Sequence, residues 1–518
     1  MTQTVIISIC SFHLIVSHMT RNKTIICVLA LMPLGTLMSC GGGGGGGGSS
    51  APAPSNSLPV ANSDAFSLII NTPAELALLT NDSDSDGALA SIRIISNPSN
   101  GVISGLNIGA SPIYTPNNGF IGEDSFTYAA IDNVGGSSNA VTVSLAIEPI
   151  TETSLRVTSL RVPTSGYEAL NNADLNASVL TSLPEPFKIP PNPISFALYL
   201  TGTDVDNSST KLLLTRLVDP TGSTLPNLNT QVSFCEAALC ASLLPRREGQ
   251  IVMHGDWQYT LGTRATSIAS IDFTDMRLQL AVRTGPEPDA DNGQPAVLKV
   301  QPFKTATSIN EALFSQMLRQ FVSIAGSNGF SINLQPTIIV SEPEYAEISG
   351  NFTDTTTAEL VTLGAADSIN IFFIEGFTGI AGGGRLGISP GIPGTLGVKG
   401  QFNGILINAT ATNSADRSAD YYARTTAEFA FHEMGHLLGL FHTTESNFTN
   451  DIIDDTPNCL LAQHDTVEND SDNRVGRADQ NECPDGLNPM FWTNDLDTPK
   501  QILSKEQRRV IDYSPIAK

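Results

Sequence analysis

The segment His432–His442 limits the fold of this chain more than any other, because it requires a helix and then the end of that helix. At ~100° and ~1.5 Å per residue, His432 and His436 lie one turn apart on the same helix face, where their imidazoles can converge. If the helix continued, His442 would lie roughly 9 Å beyond His436 along the axis. Gly439 can adopt a left-handed helix end, and the turned chain can then bring His442 back to the other two histidines.

Three converging imidazoles beside a carboxylate predict a catalytic zinc site with His432, His436 and His442 as the ligands. Three neutral imidazoles with an open fourth position lower the pKa of a Zn²⁺-bound water to about 7. Glu433 can then take the water's proton as a general base and pass it to a leaving amine, which is the chemistry of amide hydrolysis. The alternative is that the histidines are capping or core residues that fall in register, and the glycine and third histidine argue against it.

The extended motif resembles that of the metzincin clan of zinc metalloendopeptidases, and the resemblance covers roughly residues 330–515. It implies a methionine turn beneath the metal, for which Met490 is the candidate. No tyrosine follows Met490 directly, so neither Phe491 nor Trp492 is assigned the role that such a tyrosine has in related enzymes. The segment Asp451–Cys459 resembles the Asp-Thr-Pro stretch of pappalysin-like (cytophagalysin-related) metzincins.

Hydrophobic periodicity predicts a long apolar helix over residues 419–438 and short strands before it, at 337–340, 370–374 and 404–408. The resemblance implies that the strand before the helix is an antiparallel edge on which the substrate lies extended, formed by residues 404–408 or by the Gly-rich segment 382–390. A helical pattern at 310–324 could begin the catalytic domain or could lie over the cleft as a pro-segment. Ser504–Gln507 is a capping box that begins a last helix, and a purely structural role is expected for that helix.

The N-terminal segment predicts export and lipidation. Met19–Lys23 and the apolar run Ile25–Met38 have the basic and hydrophobic regions of a secretory signal, and Leu37–Cys40 resembles the bacterial lipobox. The resemblance implies a lipid anchor at Cys40 in the cell envelope, on an outer-membrane lipoprotein or at the cell surface. A transmembrane anchor is the alternative, although the apolar run is short for a span. Residues 41–58 form a Gly/Ser/Pro tether.

Two β-sandwich domains are predicted between the tether and the catalytic domain. Residues 59–148 show short strands split by turns, and their segments Asn81–Gly87 and Gly119–Tyr128 resemble cadherin-like repeats of bacterial surface proteins. Residues 149–302 show further strands of a second accessory sandwich, and residues 303–518 form the metzincin-like domain. The expected fold class is therefore multidomain, with all-β sandwiches followed by an α+β catalytic domain.

An acidic cluster in the first sandwich leaves two interpretations open. Asp82, Asp84 and Asp86 begin like an EF-hand loop, but Arg93 occupies the twelfth position, where a bidentate glutamate is needed. An EF-hand is therefore excluded. A Ca²⁺ site of another geometry and a solvated acidic turn both remain possible.

Cysteine usage fits an oxidising compartment. Apart from the leader and Cys40, four cysteines remain, and they pair by position as Cys235 with Cys240 and Cys459 with Cys483. The second disulfide would close a loop of about 25 residues and contribute on the order of 3 kcal/mol. The alternative for one cysteine of the first pair is a thiol that blocks the zinc in a latent form.

The net charge of −24 argues against a nucleic-acid partner. The sequence thus predicts an exported, lipid-anchored zinc endopeptidase that acts on proteins or peptides, and it leaves the oligomeric state open. The alternative is a surface adhesin or glycan-binding protein whose peptidase domain is vestigial or processes only its own chain.

Overall fold

The computed structural model describes most of the chain between residues 55 and 517. The described residues are 55–105, 111–172, 177–205, 212–225, 233–236, 238–246, 250–263, 265, 267–286, 288, 295–379, 386–411, 417–443, 456, 485, 487–490 and 502–517. The predicted signal peptide, Cys40, Cys459, Cys483 and most of the predicted tether lie outside these residues. Within the described part, no helix is both long and apolar enough to span a membrane.

The first domain is a β-sandwich. Its strands β1 to β7 are Asp64–Ile69, Ala74–Glu75, Leu89–Ser96, Gly101–Ser104, Ile113–Pro116, Gly122–Asp132 and Val141–Glu148. They form one sheet in the order β1-β7-β6-β3 and a second in the order β2-β5-β4. Alternate residues such as Phe126, Tyr128, Val143 and Leu145 point inward and are at most 1% exposed, as expected for strands with one buried face.

The second domain is also a β-sandwich. Its strands β8 to β17 are Ser154–Leu160, Glu168–Asn172, Ala177–Thr181, Glu185–Ile189, Pro193–Thr201, Leu212–Val218, Ser233–Glu236, Leu239–Leu244, Gly255–Thr263 and Arg277–Thr284. One sheet has the order β14-β15-β12-β17-β8, and the other is built around β16, which pairs with β10, β11 and β13. The aromatic residues Phe187, Phe196, Trp257 and Tyr259 fill the space between the sheets.

Strand β12 is buried on both faces, which explains why its central sequence is an unbroken apolar run. Phe196 and Leu198 point into the second sandwich. Ala197 and Tyr199 point the other way and belong to the hydrophobic core of the third domain. The Tyr199 hydroxyl donates a hydrogen bond to the Leu396 carbonyl, at 3.2 Å. The second sandwich therefore has a core of its own and also contributes side chains to the core of the third domain.

The third domain contains a mixed sheet and four helices among its described residues. Its strands β18 to β25 are Ala296–Lys304, Phe330–Leu334, Ile338–Ile339, Glu347–Ile348, Ile369–Ile374, Gly376–Phe377, Gly387–Ile388 and Ile405–Asn408. Helices α1 to α4 are Glu311–Ser327, Thr355–Thr362, Ala419–Leu438 and Lys505–Asp512. Because β18 already pairs with β22 at Val300, the third domain begins before the predicted boundary at residue 303.

The sheet order β19-β18-β22-β25-β24 decides between the two segments that were predicted as the antiparallel edge. Residues 405–408 are not the edge: β25 lies between β22, with which it is parallel, and β24, with which it is antiparallel. The antiparallel edge strand is β24, residues 387–388, within the Gly-rich segment that was the other candidate. The sequence did not separate the two because both segments are short and their order in the sheet depends on distant strands.

Helix α1 is part of the third domain's fold. Asn310 caps it by accepting a hydrogen bond from the Leu313 N–H at 2.9 Å. Its apolar face is buried in the domain core, where Phe314 meets Phe373 edge to face with ring centroids 5.1 Å apart. A pro-segment lying over the cleft would not share the core in this way, so that interpretation of the helical pattern is wrong.

The shared core predicts which parts of the chain fold alone. Residues 56–149 have a separate core and are expected to give a cooperative thermal transition by circular dichroism. Residues 295–518 are not expected to give such a transition. Removal of the second sandwich exposes large apolar side chains, and the burial of each contributes about 2 kcal/mol to stability. The control is residues 150–518, which should unfold cooperatively. An equally sharp transition for residues 295–518 would contradict the prediction.

Candidate metal centre

Helix α3 positions two of the three histidines. It starts at the N-cap Ser418, whose hydroxyl accepts a hydrogen bond from the Tyr421 N–H at 3.1 Å. It runs to Leu438, the span predicted from the sequence. His432 and His436 are 8% and 7% exposed, and their ring centroids are 4.7 Å apart on one face. The two imidazoles are therefore largely shielded from solvent.

The helix ends at Gly439, in the left-handed conformation that the motif predicts, with φ of 112°. The Leu440 N–H donates to the Gly435 carbonyl at 2.9 Å, and the Gly439 N–H donates to the His436 carbonyl at 3.0 Å. These bonds satisfy carbonyls that a helix end would otherwise leave free. The chain reverses and returns towards α3.

The reversal brings His442 to the other two histidines. Its Nε2 lies 3.2 Å from His432 Nε2 and 3.0 Å from His436 Nε2. Zinc–nitrogen bonds of ~2.0–2.1 Å to a tetrahedral ion separate the ligand atoms by ~3.3 Å, and both distances from His442 Nε2 are close to that value. Among the described residues, His432, His436 and His442 form a group whose ligand atoms lie close enough together to share a metal ion.

The protonation of two imidazoles is set by backbone carbonyls. His432 Nδ1 lies 2.7 Å from the Pro489 carbonyl, and His436 Nδ1 lies 2.7 Å from the Leu440 carbonyl. A carbonyl only accepts, so each Nδ1 carries the proton and each Nε2 presents a lone pair to the centre. Burial, together with the neighbouring His442 and His432, lowers the pKa of His436 well below its usual value. The ring is therefore neutral at physiological pH, as a metal ligand must be.

Met490 packs directly beneath the histidines. It is fully buried, and a Cβ atom added to Gly435 would lie 2.4 Å from its Sδ. Gly435 is thus the position on α3 that lets the thioether approach the helix between the two histidines. The Met490 carbonyl also accepts a hydrogen bond from the Thr443 N–H at 2.9 Å, next to the third histidine.

Helix α4 holds the Met490 segment in place, a role that the sequence did not reveal. The predicted capping box is present at Ser504 and Gln507. Gln507 Oε1 also accepts from Asn488 Nδ2 at 2.9 Å, and Asn488 Oδ1 accepts from the Met490 N–H at 2.8 Å. The capping box was visible in the sequence, but nothing local indicated that its glutamine also binds Asn488.

Glu433 lies between the histidines and the edge strand. A Cβ atom added to Gly387 of β24 would come within 2.6 Å of Glu433 Cγ and 3.0 Å of its Oε1. The carboxylate is partly exposed, unlike its two flanking residues on α3. A polypeptide lying along β24 would therefore pass close to this carboxylate.

The other predicted site residues do not join this centre. Asp82 is engaged by the Tyr128 hydroxyl, 2.8 Å from its Oδ2, and Asp86 accepts from the Ser57 N–H at 2.8 Å. Within the described residues, the carboxylate oxygens of Asp82, Asp84 and Asp86 do not all lie close enough together to share one metal ion. The structure thus does not support a calcium site there.

The structure bears on one of the two predicted cysteine pairs. Antiparallel pairing of β14 with β15 places Cys235 opposite Cys240, which is the register that a disulfide between them needs. Cys240 is 1% exposed and lies in the core of the second sandwich, so it is not placed as a thiol that blocks the centre. Cys459 and Cys483 lie outside the described residues.

Three comparisons with known proteins place these observations in context. Residues 56–145 match the family described as Bacterial Ig domain, which agrees with the sandwich found there. The cadherin-like assignment within that architecture remains a prediction. No curated protein sequence matches the chain.

Three solved structures show distant similarity to this chain. Archaemetzincin from Methanopyrus kandleri is 15% identical with a TM-score of 0.21, covering 29% of this chain and 78% of that one. Metalloproteinase-II from Bacteroides fragilis is 13% identical with a TM-score of 0.25, covering 45% and 62%. A carbohydrate-binding module of the β-sandwich superfamily is 14% identical with a TM-score of 0.14, covering 45% and 95%. Scores of this size do not assign a function.

The left-handed turn predicts the effect of Gly439→Ala. Alanine would be strained at this positive φ, and its Cβ would lie 2.8 Å from Leu243 Cδ2. We therefore expect the free energy of unfolding to fall by about 1–3 kcal/mol and zinc binding to weaken. Denaturant titration and a chelator competition measure the two effects. The matched control is Gly326→Ala in α1, where no atom lies within 4 Å and helix propensity should raise stability by up to about 1 kcal/mol. Unchanged zinc affinity in Gly439→Ala would contradict this account of the turn.

Proposed function

We propose that this chain is a zinc metalloendopeptidase of the metzincin type. The observation that carries the proposal is the meeting of three Nε2 atoms, two of them fixed by backbone carbonyls on Nδ1, beside the carboxylate of Glu433. A buried set of neutral imidazoles with one adjacent carboxylate is suited to hydrolysis at a metal-activated water.

The reaction assigns a distinct task to each side chain. His432, His436 and His442 would hold Zn²⁺, which when bound supplies a Lewis acid that acidifies water and polarises a peptide carbonyl. Glu433 accepts the proton of the attacking water on its carboxylate. The oxygen of that water bonds to the carbonyl carbon, and the same carboxyl group then donates the proton to the departing amide nitrogen, so the C–N bond breaks to give an amine and a carboxylic acid.

Strand β24 is proposed to bind the substrate. Within the described sheet it is the last strand, and its pairing with β25 uses one of its two edges. An extended peptide adding to the other edge would gain main-chain hydrogen bonds with little dependence on its sequence. Because Gly387 of this strand lies against Glu433, such a peptide would be delivered next to the general base.

A pappalysin-like assignment is the finer form of the proposal. It is supported by the Asp451–Cys459 segment and by Cys483, which would form a disulfide with Cys459 between the third histidine and Met490. Of the Asp-Thr-Pro stretch, the structure describes Thr456, which is 5% exposed.

We further propose that the enzyme is exported and anchored to the bacterial cell envelope through lipidated Cys40. The signal-like leader, the Gly-rich tether and the Cys235–Cys240 register support this location. The Ig-like first domain, which has a core of its own, would separate the catalytic part from the membrane.

The proposal predicts that Glu433→Gln binds zinc normally but does not cleave protein. Zinc content by mass spectrometry should be one ion per chain in both forms of residues 41–518, while casein cleavage falls by about 10²–10⁴-fold because the general base is lost. A chelator should abolish cleavage by the unsubstituted chain, and zinc should restore it. A chain that binds no zinc would exclude the function, and chelator-resistant cleavage would exclude the mechanism.

The contact between β24 and the general base predicts a selective loss in Gly387→Ala. The new methyl group would displace the Glu433 carboxylate, and a shift of about 1 Å can cost about 10²-fold in rate. We expect kcat/KM for a peptide substrate to fall by that order while zinc content stays at one ion per chain. The control is Gly376→Ala in β23, where the nearest atom lies 4.0 Å away. Equal activities in the two variants would refute the assigned position of Glu433.

A further inference from the structure

Arg246 is a buried cation beside the proposed centre, although it belongs to the second sandwich. It follows β15 and is 3% exposed. Its guanidinium carbon lies 5.0 Å from the centroid of the Phe441 ring. Its Nη2 donates a hydrogen bond to the Ile392 carbonyl at 3.0 Å. Phe441 directly precedes the third histidine, so the cation reaches the segment that delivers His442.

The two groups held by Arg246 belong to the two segments that flank the centre. Phe441 lies in the turn after α3, and Ile392 lies in the segment that follows the edge strand β24. The same segment is tied to α3 by the Gly394 N–H, which donates to the Leu437 carbonyl at 3.1 Å. Through one side chain, the second sandwich therefore contacts both the turn of the third ligand and the backbone next to the proposed substrate strand.

Leu243 supports the same turn from the same strand. Its Cδ2 would lie 2.8 Å from a Cβ atom at Gly439. Leu239 lies four residues earlier on β15, and its Cδ2 would lie 2.7 Å from a Cβ atom at Gly391. The contact of Arg246 is thus one part of a surface on β15 that fits the turn after α3 and the segment after β24.

The burial of Arg246 is costly to the fold. Among the described residues, its Nε and Nη1 have no hydrogen-bond partner. Burial lowers the pKa of Arg246 to about 9, and the group still carries its charge at neutral pH. Buried N–H groups and charges without partners destabilise a protein, and an apolar side chain of similar size is often more stable there. Fold stability therefore does not explain an arginine at this position.

We propose that Arg246 is a positioning residue for His442. Its guanidinium holds the Phe441 ring by a cation–π contact and holds the Ile392 carbonyl by a hydrogen bond, which together fix where the third imidazole lies. The inference rests on the proposed function, because it assigns Arg246 to the geometry of the metal ligands. It makes the second sandwich a contributor to the centre.

The test compares zinc affinity with the stability of the zinc-free protein in residues 41–518. Arg246→Met keeps the length and apolar stem of the side chain but removes the charge and the donor. We expect its zinc affinity, measured by competition with a chromophoric chelator, to fall about tenfold or more, as for other residues that orient metal ligands. The unfolding temperature of the zinc-free protein should stay the same or rise. A merely structural arginine would show the opposite pattern.

Two further variants and one spectrum sharpen the test. Arg246→Lys keeps a cation near Phe441 and should recover part of the affinity. Lys304→Met is the matched control, because Lys304 is also a buried cation, donates a hydrogen bond to Glu311 and lies 5.4 Å from the centroid of the Phe314 ring. Its zinc affinity should change less than about twofold. Co²⁺ in place of zinc should show altered visible absorption in Arg246→Met alone, since those bands report ligand geometry.

The outcomes separate this inference from the proposed function. Zinc affinity in Arg246→Met equal to that of the unsubstituted chain would overturn the inference and leave the function intact. An equal loss of affinity in Lys304→Met would also overturn it, because the effect would then be a general loosening of the fold. A chain that binds no zinc in any form would overturn both.

Discussion

The left-handed turn at Gly439 is the constraint on which the rest of the candidate centre depends. A continuous helix can present two histidines to one point but cannot present the third, so the chain has to reverse within three residues. The reversal satisfies the carbonyls at the end of α3 and places the Leu440 carbonyl against His436 Nδ1. It also leaves a surface that must be covered, and β15 of the second sandwich covers it with Leu243. Ligand convergence, histidine tautomer and domain packing thus follow from one backbone conformation.

The sequence predicted the features whose causes are local. Helix α3, its glycine end and the capping box of α4 all depend on residues within a few positions of one another, and the structure has them where the patterns indicated. The multidomain fold class was also predicted correctly, since turn-rich β segments and helical periodicity are legible in short windows. Met490 was identified by resemblance rather than by any local pattern, because an isolated methionine in an apolar setting is ordinary core.

The features that the sequence did not predict arise between segments far apart in the chain. The choice of β24 over β25 as the sheet edge depends on strand order, which short apolar runs do not encode. The contacts of Gln507 with Asn488 and of Arg246 with Phe441 join side chains that nothing in the sequence associates. The run Phe196–Leu200 of β12 is apolar without alternation, because the third domain covers the face of this strand that the second sandwich leaves free.

The bond between His432 Nδ1 and the Pro489 carbonyl has a consequence for when the centre can form. The acceptor lies 57 positions after the histidine in the chain, and the helix that holds its segment follows later still. A polypeptide is synthesised from its N-terminus, so α3 emerges well before the carbonyl that orients the His432 imidazole. Until that later segment has joined the fold, the first ligand lacks its orientation. The order of synthesis itself would therefore delay the orientation of His432 until the segment that contains Pro489 and α4 has emerged.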